Sequence, residues 1–586
     1  GNNPRGIGAK VTISTDNGIQ YLENSPYRGY FSSSEGVLHF GLGNLEKVNE
    51  ITIEWPEGEL QKLKNVKANQ ELTIDKNNLE EHNSLEEEKA VLLEEVSNAF
   101  SKSYLHKEDA FIDFKREPLL EHMISNKGPF MTIADFNGDE LEDIFIGASS
   151  GAAAMVFAQT ASGEFKNLAN PSFSKDAKYE DAQSVAFDLE GDGDLDLYVV
   201  SGGYAHAKGS PLYEDRVYIN NGKGVFQRAK DVLTRNAENG TCVVAHDIDM
   251  DGDVDLFVGG GASPIEYPLE AKSILWINEG GNFKNATAQL PNNGKIGMIN
   301  AAAWFDYNGD QQKELLLAGE WMPLKLFQYK DNIFKDISAL AGLEKTAGWW
   351  NTITVQDINN DNRPDVLIGN RGDNSFFNAS PAKPAQIYAK DFDNNGSMDA
   401  LPFYYYSDGK MYPKHSMDEI FTQYPGIRRK FGRYDKFSRA GLNEIFSQEE
   451  LLGVEKREVH TFSSSVLLNQ KDGTLKLTKL PLQAQFSEVH GILVKDINGD
   501  NIQDVLISGN QYGTDVSMGR SDASFGTLLL GVGKGNFKPT TVQQSGFKVI
   551  GDMRGVYQLK TNSGELIIVL RNKDTPKVFK LKKPNA

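Results

Sequence analysis

Short apolar runs recur through most of the chain, and each follows an acidic, polar loop. Examples are IFIGAS, LYVVSG and LFVGGG in the first three copies. The runs are too short and too rich in β-branched residues for helices, so they predict strands. Around the first copy the pattern reads PFMTIADF, loop, DIFIGASS, AAAMVFAQ and GEFKNLA, which is four strands. Four-stranded repeats of about 50–60 residues are typical of β-propeller blades.

The loops share a nine-residue pattern, Asp-x-[Asp/Asn/Glu]-x-[Asp/Asn]-x-x-x-[Asp/Glu]. The seven copies begin at Asp135, Asp188, Asp247, Asp306, Asp357, Asp391 and Asp496. The distances between successive starts are 53, 59, 59, 51, 34 and 105 residues. The irregular last two intervals predict one disturbed repeat combined with an insertion.

Side chains two residues apart in such a loop converge on one point. Hard oxygen ligands in this number suit calcium, whereas magnesium keeps more water and soft metals need His or Cys. Positions 1, 3, 5 and 9 would supply side-chain oxygens and position 7 a backbone carbonyl; the other interpretation is that Asp, Asn and Gly only mark turns. The ligands predicted for up to seven calcium ions are Asp135, Asn137, Asp139, Asp143, Asp188, Glu190, Asp192, Asp196, Asp247, Asp249, Asp251, Asp255, Asp306, Asn308, Asp310, Glu314, Asp357, Asn359, Asp361, Asp365, Asp391, Asp393, Asn395, Asp399, Asp496, Asn498, Asp500 and Asp504.

The copies differ in their donor sets. The third loop, from Asp247 to Asp255, has aspartate at all four positions and is expected to be the best site. Glu190 and Glu314 are longer than the usual Asp, so their sites are expected to be distorted. Asn395 removes a charge and is expected to weaken the sixth site.

The end of the chain adds an eighth unit without a loop. Its strands are GDMRGVYQLK, ELIIVLRN and PKVFKLKK, which leaves it one strand short. The segment AFIDFKRE near Phe111 is a candidate for the missing strand. The sequence therefore predicts an all-β fold with a calcium-loop propeller, eight blades being favoured and seven being the alternative. Ring closure would remove exposed sheet edges.

Three regions divide the chain. Residues 1–75 predict a small β domain with strands KVTIS, VLHFGLG, EITIEWP and ELTID. Residues 76–107 are charged, with apolar positions every three or four residues, which predicts an amphipathic linker helix. Residues 108–586 would form the propeller, interrupted by an insertion at 408–446 that contains short helices.

The insertion is basic in an acidic protein and alternates cations with aromatic residues. Its candidate partner-binding residues are Arg428, Arg429, Phe431, Arg433 and Tyr434. One hypothesis is a docking surface for an acidic or aromatic partner. The other is that the aromatic side chains pack on the propeller while the cations neutralise its acidic rim.

Composition excludes several classes of function. The chain has 586 residues and a formal charge of −20, with 61 basic and 81 acidic side chains, so nucleic acid is not expected as a partner. No apolar run approaches the roughly 20 residues that span a bilayer, so no transmembrane segment is expected. The single cysteine, Cys242, excludes an intrachain disulfide. No catalytic motif stands out, and the patterned carboxylates are already assigned to metal.

A few other side chains invite a functional interpretation. Trp321, Trp349 and Trp350 could stack on sugar rings, but apolar neighbours favour core packing. The tripeptide Arg371-Gly372-Asp373 matches an integrin-binding motif and is interpreted as a turn. His246, His490 and Cys242 are interpreted as structural.

The loop followed by an apolar run and glycine resembles the FG-GAP/VCBS repeat of integrin α-subunit propellers and many exported bacterial proteins. NNPRGIGAKV, YRGYFSSS, LHFGLG and ITIEWPEGELQKL resemble the ASPIC/UnbV domain, which usually follows a propeller. Its position at the start suggests that a preceding part is missing. No signal peptide or anchor cysteine is visible.

The resemblance implies a non-catalytic binding or scaffold module at the bacterial cell surface. The implied setting is an outer-membrane protein assembly, with lipid anchoring through a part outside this chain. A protein partner is expected and a glycan is possible. The alternatives are a carbohydrate-active propeller, meaning a polysaccharide lyase or hydrolase, and a lectin.

Overall fold

The computed structural model describes residues 3–76, 83–84, 91–96, 104–562 and 564–582, and within these ranges the chain is all-β. It divides into two compact units, Gly1–Val91 and Leu92–Ala586. Helices are few and short: α1 Pro171–Lys175, α2 Met417–Gln423, α3 Gly426–Phe431, α4 Tyr434–Phe437, α5 Leu442–Ile445 and α6 Val542–Ser545. No helix of the described ranges combines the length and apolar character needed to cross a membrane.

The first unit contains one antiparallel sheet in the order β2-β1-β5-β6-β7 and a small hairpin. Ile51 and Ile53 alternate with half-exposed residues, as one buried face requires. VLHFGLG and ELTID, which we expected to be strands, are irregular; Phe40, Leu42 and Ile74 still pack on the core of this sheet. The strands are β1 Lys10–Thr15, β2 Gly18–Glu23, β3 Tyr27–Gly29, β4 Ser32–Ser33, β5 Lys47–Glu54, β6 Glu59–Lys67 and β7 Asn83–Ser84.

Seven antiparallel sheets, numbered here sheets 1 to 7, follow one another through the described part of the second unit. Sheets 1 to 3 contain β9 Met131–Ala134, β10 Asp143–Ile146, β11 Met155–Gln159 and β12 Phe165–Leu168; β13 Asp181–Phe187, β14 Asp196–Ser201, β15 Arg216–Ile219 and β16 Gln227–Arg228; and β17 Gly240–His246, β18 Asp255–Gly260, β19 Ile274–Asn278 and β20 Phe283–Asn285. Sheet 4 contains β21 Met298–Phe305, β22 Glu314–Met322, β23 Lys325–Lys330 and β24 Ile333–Asp336, with β25 Gly348–Trp349 pairing to β22.

Sheets 5 to 7 complete the series. Their strands are β26 Thr352–Gln356, β27 Asp365–Gly369, β32 Ser465–Asn469 and β33 Leu475–Lys479; β34 Val489–Lys495, β35 Asp504–Gly509, β36 Thr527–Gly531 and β37 Phe537–Pro539; and β38 Asp552–Thr561, β39 Gly564–Asn572, β40 Lys577–Leu581 and β8 Leu93–Glu95. The second strand of each sheet is apolar on both faces because neighbouring sheets cover both. In β22, for example, Leu315, Leu316 and Leu317 are all buried. This double burial explains the continuous apolar runs of the sequence.

Neighbouring sheets contact each other in chain order through their first strands. Thr132 Oγ1 donates to the Ser184 carbonyl at 2.9 Å, and Thr354 Oγ1 donates to the Ile492 carbonyl at 3.0 Å. Sheet 7 in turn packs on sheet 1, where Ile568 and Leu570 share a core with residues of β10 and β11. The series of sheets is thus continuous from first to last.

An eighth sheet interrupts sheet 5 between β27 and β32. This inserted sheet has the order β30-β29-β28-β31 and consists of β28 Ala385–Lys390, β29 Asp399–Tyr405, β30 Met411–Pro413 and β31 Glu455–Val459. Helices α2 to α5 lie between β30 and β31, where the sequence predicted short helices. Ile420, Ile427 and Ile445 pack with Phe403 of the inserted sheet.

The prediction of a linker helix over 76–107 is wrong, because two described stretches of this segment are strands. Asn83–Ser84 is strand β7 and Leu93–Glu95 is strand β8, which pairs with β40. Leu93 packs beside Phe579 in a shared core, and this tertiary contact outweighs the local helical periodicity. Residues 91–92, 96 and 104–107 are also non-helical, and the parts of that prediction at 77–82, 85–90 and 97–103 lie outside the described residues.

The missing strand of sheet 7 therefore comes from β8 and not from AFIDFKRE. Within that segment, Asp113–Lys115 forms a 3₁₀ turn. The Asp113 carboxylate is buried and accepts hydrogen bonds from the Ile124 and Ser125 amides at 2.6 and 3.0 Å. Because the buried Asp113 carboxylate is bonded to the loop at Ile124 and Ser125, it holds the AFIDFKRE segment away from the edge of sheet 7.

Candidate functional site

All seven acidic loops connect two adjacent antiparallel strands. Six of them join the first and second strands of sheets 1 to 6, and the loop from Asp391 to Asp399 joins β28 and β29 of the inserted sheet. All twenty-eight predicted ligand residues lie in these loops or at the first position of the strand that follows. Sheet 7 has no such loop, as the sequence indicated.

The loops share one backbone shape. Positions 4 and 6 have positive φ in every copy, for instance 74° at Gly138 and 66° at Glu140 in the first loop. Glycine adopts this conformation without strain and Asn tolerates it, which explains why these residues dominate both positions. These two positions give each loop its sharp bend.

The carboxylate at position 9 ties the loop to the third strand of its own sheet. Asp255 is buried and accepts hydrogen bonds from the Ile248 amide and the Asn278 amide, both at 2.8 Å. In sheets 1, 2, 5 and 6 the two backbone amides at the equivalent positions donate to the position 9 carboxylate, which is Asp143, Asp196, Asp365 or Asp504. In the fourth loop Glu314 reaches one backbone amide and the Gln328 side chain instead. The position 9 carboxylate therefore stabilises the loop by hydrogen bonding, in addition to being a candidate metal ligand.

Burial raises the pKa of the position 9 carboxyls, and the other carboxylates of each loop raise it further. The pKa of Asp143 and of Asp255 rises to about 6, and that of Asp399 rises to about 7. The pKa values of Asp196, Glu314, Asp365 and Asp504 shift in the same direction. Concentrated negative charge of this kind opposes ionisation until a cation or a donor compensates it.

Two loops gather three carboxylates around one point. In the third loop the oxygens of Asp247, Asp249 and Asp251 lie within 4.8 Å of one another, and in the sixth loop those of Asp391, Asp393 and Asp399 do so. Asp247 Oδ1 and Asp399 Oδ1 are buried atoms without a hydrogen-bond partner among the described residues. Oxygen ligands with unused lone pairs are the donor set of a hard divalent cation such as calcium.

Three other loops are closed by donors of their own. In the fourth loop Asn308 Nδ2 donates to Asp310 Oδ2 at 3.1 Å and to Glu314 Oε1 at 3.0 Å. In the seventh, Asn498 Nδ2 donates to Asp500 Oδ2 at 2.9 Å. In the fifth, the Arg363 guanidinium pairs with Asp361. In the fourth loop the amide nitrogen lies between two carboxylate oxygens, where a cation would otherwise neutralise them.

The insertion presents cations to solvent, but several are engaged within it. Arg428 pairs with Asp418 at 2.8 Å and stacks over Phe421, and Tyr434 Oη donates to Asp418 at 2.6 Å. Arg433 pairs with Asp435 at 2.9 Å, and Phe431 packs edge-on against Phe437, so these contacts lie within the insertion itself. Arg429, Arg433 and Tyr434 remain exposed.

The three tryptophans singled out by the sequence are buried, which confirms core packing. Trp321 Nε1 donates to Tyr267 Oη at 2.7 Å, and Trp350 Nε1 donates to the Thr346 carbonyl at 2.9 Å. Burial leaves none of their ring faces open to a sugar. The Cys242 thiol is also buried, and burial raises its pKa to about 12.

The Arg371-Gly372-Asp373 tripeptide, predicted to be a turn, is irregular with a bend at Asp373. The Arg371 guanidinium is buried over the Trp349 ring, 4.5 Å from its centroid. Gly372 has a φ of 85°, and Asp373 accepts a hydrogen bond from Ser463 Oγ at 2.8 Å. His246 is half-buried against a tryptophan ring and His490 is half-buried beside Arg554, which agrees with structural roles.

Sequence reasoning missed the side chains that link neighbouring sheets. Asn220 Nδ2 donates to the Phe136 carbonyl of the preceding sheet at 2.8 Å, and Asn469 Nδ2 does the same with the Tyr307 carbonyl. Gln159 Nε2 donates to the Lys560 carbonyl of sheet 7 at 2.9 Å. All three residues end the third strand of their sheet. Alignment of the repeats would have placed YIN, which ends at Asn220, beside LLN, which ends at Asn469, and the shared asparagine would have been the signal.

It also missed a buried ionic group that joins the segment before sheet 1 to the insertion. The Glu121 carboxylate lies 3.3 Å from Lys414 Nζ and 3.4 Å from His415 Nε2. The Arg371 guanidinium is 3.9 Å away. These residues are far apart in sequence and follow no local pattern, so no signal in one sequence identifies them.

The sheets and their loops define an all-β, propeller-like repeat protein. The family model described as ASPIC and UnbV matches residues 1–81, and the FG-GAP-like repeat matches residues 135–199, 188–258 and 306–368. The chain thus carries an ASPIC/UnbV domain followed by three FG-GAP-like repeats, as the sequence motifs indicated. The loops at Asp391 and Asp496 lie outside the matched ranges.

No curated protein matches the chain. Among solved structures, the V. cholerae biofilm matrix protein Bap1 is 12% identical with a TM-score of 0.34 over 84% of this chain and 92% of that one. BBS1N in complex with ARL6DN is 10% identical (TM-score 0.35, 82% and 98% coverage), and Saccharomyces cerevisiae Sqt1 is 9% identical (0.35, 80% and 98%). At these TM-scores the likenesses carry no conclusion about fold or function.

Proposed function

We propose that the chain is a calcium-binding propeller that acts as a non-catalytic binding or scaffold module at the bacterial cell surface, within an outer-membrane protein assembly. The observation that carries this proposal is the third loop, where three carboxylates converge and Asp247 Oδ1 has no partner among the described residues. Calcium at millimolar concentration outside cells would fill sites of modest affinity. The FG-GAP-like repeats support the binding role.

We further propose seven blades, the alternative of the sequence analysis, in place of eight. The sixth loop belongs to the inserted sheet, which interrupts sheet 5 and does not extend the series. Sheet 7 obtains its fourth strand from β8 and contacts sheet 1, which supports a ring closed by these two sheets. A ring leaves few exposed sheet edges and makes a rigid platform for loops.

Calcium titration of the chelator-treated full chain by calorimetry tests the metal assignment. We expect Asp251→Asn to remove the tightest binding event or weaken it by about tenfold, because it deletes a charged ligand. Asp253→Asn is the matched control: Asp253 lies in the same loop and accepts a hydrogen bond from the Gly280 amide, but is not a predicted side-chain ligand. Equal effects of both variants, or no binding to the unaltered chain, would contradict the proposal.

The exposed cations of the insertion are the proposed contact for an acidic surface protein. Affinity capture from solubilised outer membranes with calcium present should recover a partner with the unaltered chain and lose it with Arg429→Glu/Arg433→Glu. The control, Lys476→Glu/Lys538→Glu, makes the same charge change at exposed residues of β33 and β37. If only the control loses the partner, or if both variants retain it, the partner does not bind the exposed cations of the insertion.

A further inference from the structure

The segment that precedes sheet 1 contacts all seven sheets. We name residues 106–128 the strap; they lie between β8 of sheet 7 and β9 of sheet 1. Hydrogen bonds join the strap to residues that end or follow the second strands of sheets 1, 2, 3, 6 and 7, which are Ser149, Ala205, Tyr267, Gly513 and Asn572. Its charged side chains reach Glu320 of β22 and Arg371 after β27. The strap therefore runs along the edge of the sheets opposite the acidic loops.

The start of the strap lies where sheets 7, 1 and 2 meet. Asn572 Nδ2, at the end of β39, donates to the Glu108 carboxylate, and the Asp109 amide donates to Ser149 Oγ, after β10, at 3.3 Å. Ser149 Oγ in turn donates to Glu180 Oε2 at 3.0 Å, and Glu180 immediately precedes β13. This end of the strap is thus tied to three sheets through two glutamates.

One hydroxyl serves both glutamates. The Glu108 side chain, which is 4% exposed, also contacts the Ser149 hydroxyl. A hydroxyl has a single proton to donate, so it cannot satisfy two ionised carboxylates. Two carboxylates that share a site do not both ionise readily, because like charges repel each other. A proton held between Glu108 and Glu180 removes this repulsion.

The acidic and phenolic neighbours of the pair do not favour its ionisation. Burial raises the pKa of Glu180 well above its ordinary value, and the Glu108 and Asp109 carboxylates raise it further. Burial also raises the pKa of Tyr104, and it raises the pKa of Tyr213 to about 12, so both phenols are neutral. These groups therefore supply no positive charge to the pair.

The basic neighbours compensate only in part. His106 Nε2 lies 3.8 Å from Glu108 Oε1, but burial lowers the pKa of His106 to about 3, so this ring is neutral. The Arg554 guanidinium is paired with Asp552 at 2.7 Å. Arg554 and Lys573 favour ionised Glu108, yet burial outweighs them and the pKa of Glu108 is raised. The pair therefore holds a proton more tightly than these glutamates do in the unfolded chain.

We propose that Glu108 and Glu180 share one proton and form a pH-responsive latch, which fastens the start of the strap to sheets 7, 1 and 2 and loosens when that proton is lost to solvent. Because the folded state holds the proton more tightly, the stabilising effect of the latch is complete below the pKa of an unfolded glutamate. It is lost as the pH rises through the raised pKa of the pair. The latch acts at the junction of the last sheet with the first, where the proposed ring closes.

Hydrogen–deuterium exchange of the full chain at constant calcium tests the latch. After correction for the intrinsic pH dependence of exchange, we expect the protection of amides 106–112 to fall about tenfold between pH 6 and pH 9. Glu180→Gln should abolish this fall, because its amide donates to Glu108 at every pH. Glu117→Gln, at another buried glutamate of the strap, is the matched control and should keep the fall. If Glu117→Gln abolishes the fall, or if the unaltered chain shows none, the proposed latch is wrong.

The reciprocal variant separates a shared proton from a single titrating carboxyl. Glu108→Gln should also abolish the fall and should leave the protection of 106–112 at pH 6 unchanged, because its amide supplies the hydrogen that the shared proton supplies. If only one of the two variants abolishes the fall, one carboxyl titrates alone and the sharing is refuted. If both variants lose protection already at pH 6, the pair acts through its packing and not through a proton, which also overturns the latch.

Discussion

At the scale of single residues, a side-chain amide nitrogen donates to carboxylates in two of the loops. Asn308 Nδ2 contacts two carboxylates of the fourth loop, and Asn498 Nδ2 contacts one in the seventh. The third loop has aspartate at that position, and there the carboxylates lack such a donor. We therefore propose that Asn in place of Asp at position 3 makes the fourth and seventh loops less dependent on metal.

We predict that Asn308→Asp lowers the stability of the calcium-free chain and increases its calcium affinity. Loss of the two amide hydrogen bonds and an added like charge should cost about 1–3 kcal/mol without calcium. Urea unfolding with and without calcium measures this. Asn332→Asp, in an exposed turn of the same sheet, is the control and should change stability by less than about 0.5 kcal/mol. A similar loss in both variants would refute the role of the amide.

A buried glutamate predicts a pH dependence separate from the loops. Burial raises the pKa of Glu117 to about 7, and its Oε1 accepts the Tyr267 amide at 3.1 Å. Because the folded state holds the proton more tightly than the unfolded chain, the stabilising effect of protonation is complete below the unfolded pKa. It is lost as the pH rises through about 7.

Glu117→Gln, which keeps a neutral side chain at every pH, should remove this loss. We expect the stability difference between the variant and the unaltered chain to grow in favour of the variant by about 2–3 kcal/mol from pH 4.5 to pH 8, at constant calcium. Chemical denaturation at several pH values measures it. A difference that does not change with pH would show that Glu117 ionises normally.

At the scale of elements, local pattern predicted the strands of sheets 1 to 7 well and misassigned β8. The apolar runs after each loop are continuous because both faces are buried, and that signal is local. Leu93–Glu95 lies in a segment whose spacing suits a helix. Its pairing with Lys580 and Leu581 joins residues almost 500 positions apart, which no local pattern contains.

The same contrast between local and long-range signals explains which features of the candidate site could be predicted. The acidic pattern that marks the seven loops is local and was predicted. The placement of the sixth loop in an inserted sheet depends on the pairing of β28 with β31, whose residues are distant in sequence, and was not predictable.

We predict that β8 contributes strongly to the stability of sheet 7. Leu93 is 1% exposed and shares a core with Phe579, so Leu93→Ala should cost about 2–5 kcal/mol. Thermal or urea unfolding measures the loss. Glu94→Ala, at an exposed position of the same strand, should cost less than about 0.5 kcal/mol. A near-neutral Leu93→Ala would mean that sheet 7 is completed in another way.

At the scale of the whole molecule, the contact between sheets 1 and 7 decides whether the second unit closes. Glu142 Oε2 accepts the Lys560 amide at 2.6 Å, and Gln159 donates to the carbonyl of the same residue. These hydrogen bonds between the last sheet and the first are of the same type as those that join other neighbouring sheets. The proposed ring therefore needs no element other than those described.

Crosslinking tests this closure in solution. Glu142→Cys/Lys560→Cys should be joined rapidly by a short bifunctional thiol crosslinker, because the only native cysteine, Cys242, is buried. Proteolysis and mass spectrometry would identify the linked peptides. Glu142→Cys/Lys538→Cys is the control and should not crosslink. Absence of the first crosslink, with both cysteines reactive to single-site reagents, would show an open series of sheets.

The most direct measurement of the central claim is the number of calcium ions that the purified full chain retains, by native mass spectrometry after dialysis against calcium. With 23 formal negative charges at the predicted ligand positions, metal uptake would offset much of the net charge of −20. We predict more than one and up to seven calcium ions per chain, lost on chelation together with a fall in melting temperature. A chain that retains no calcium, with the same melting temperature in chelator, would contradict the account.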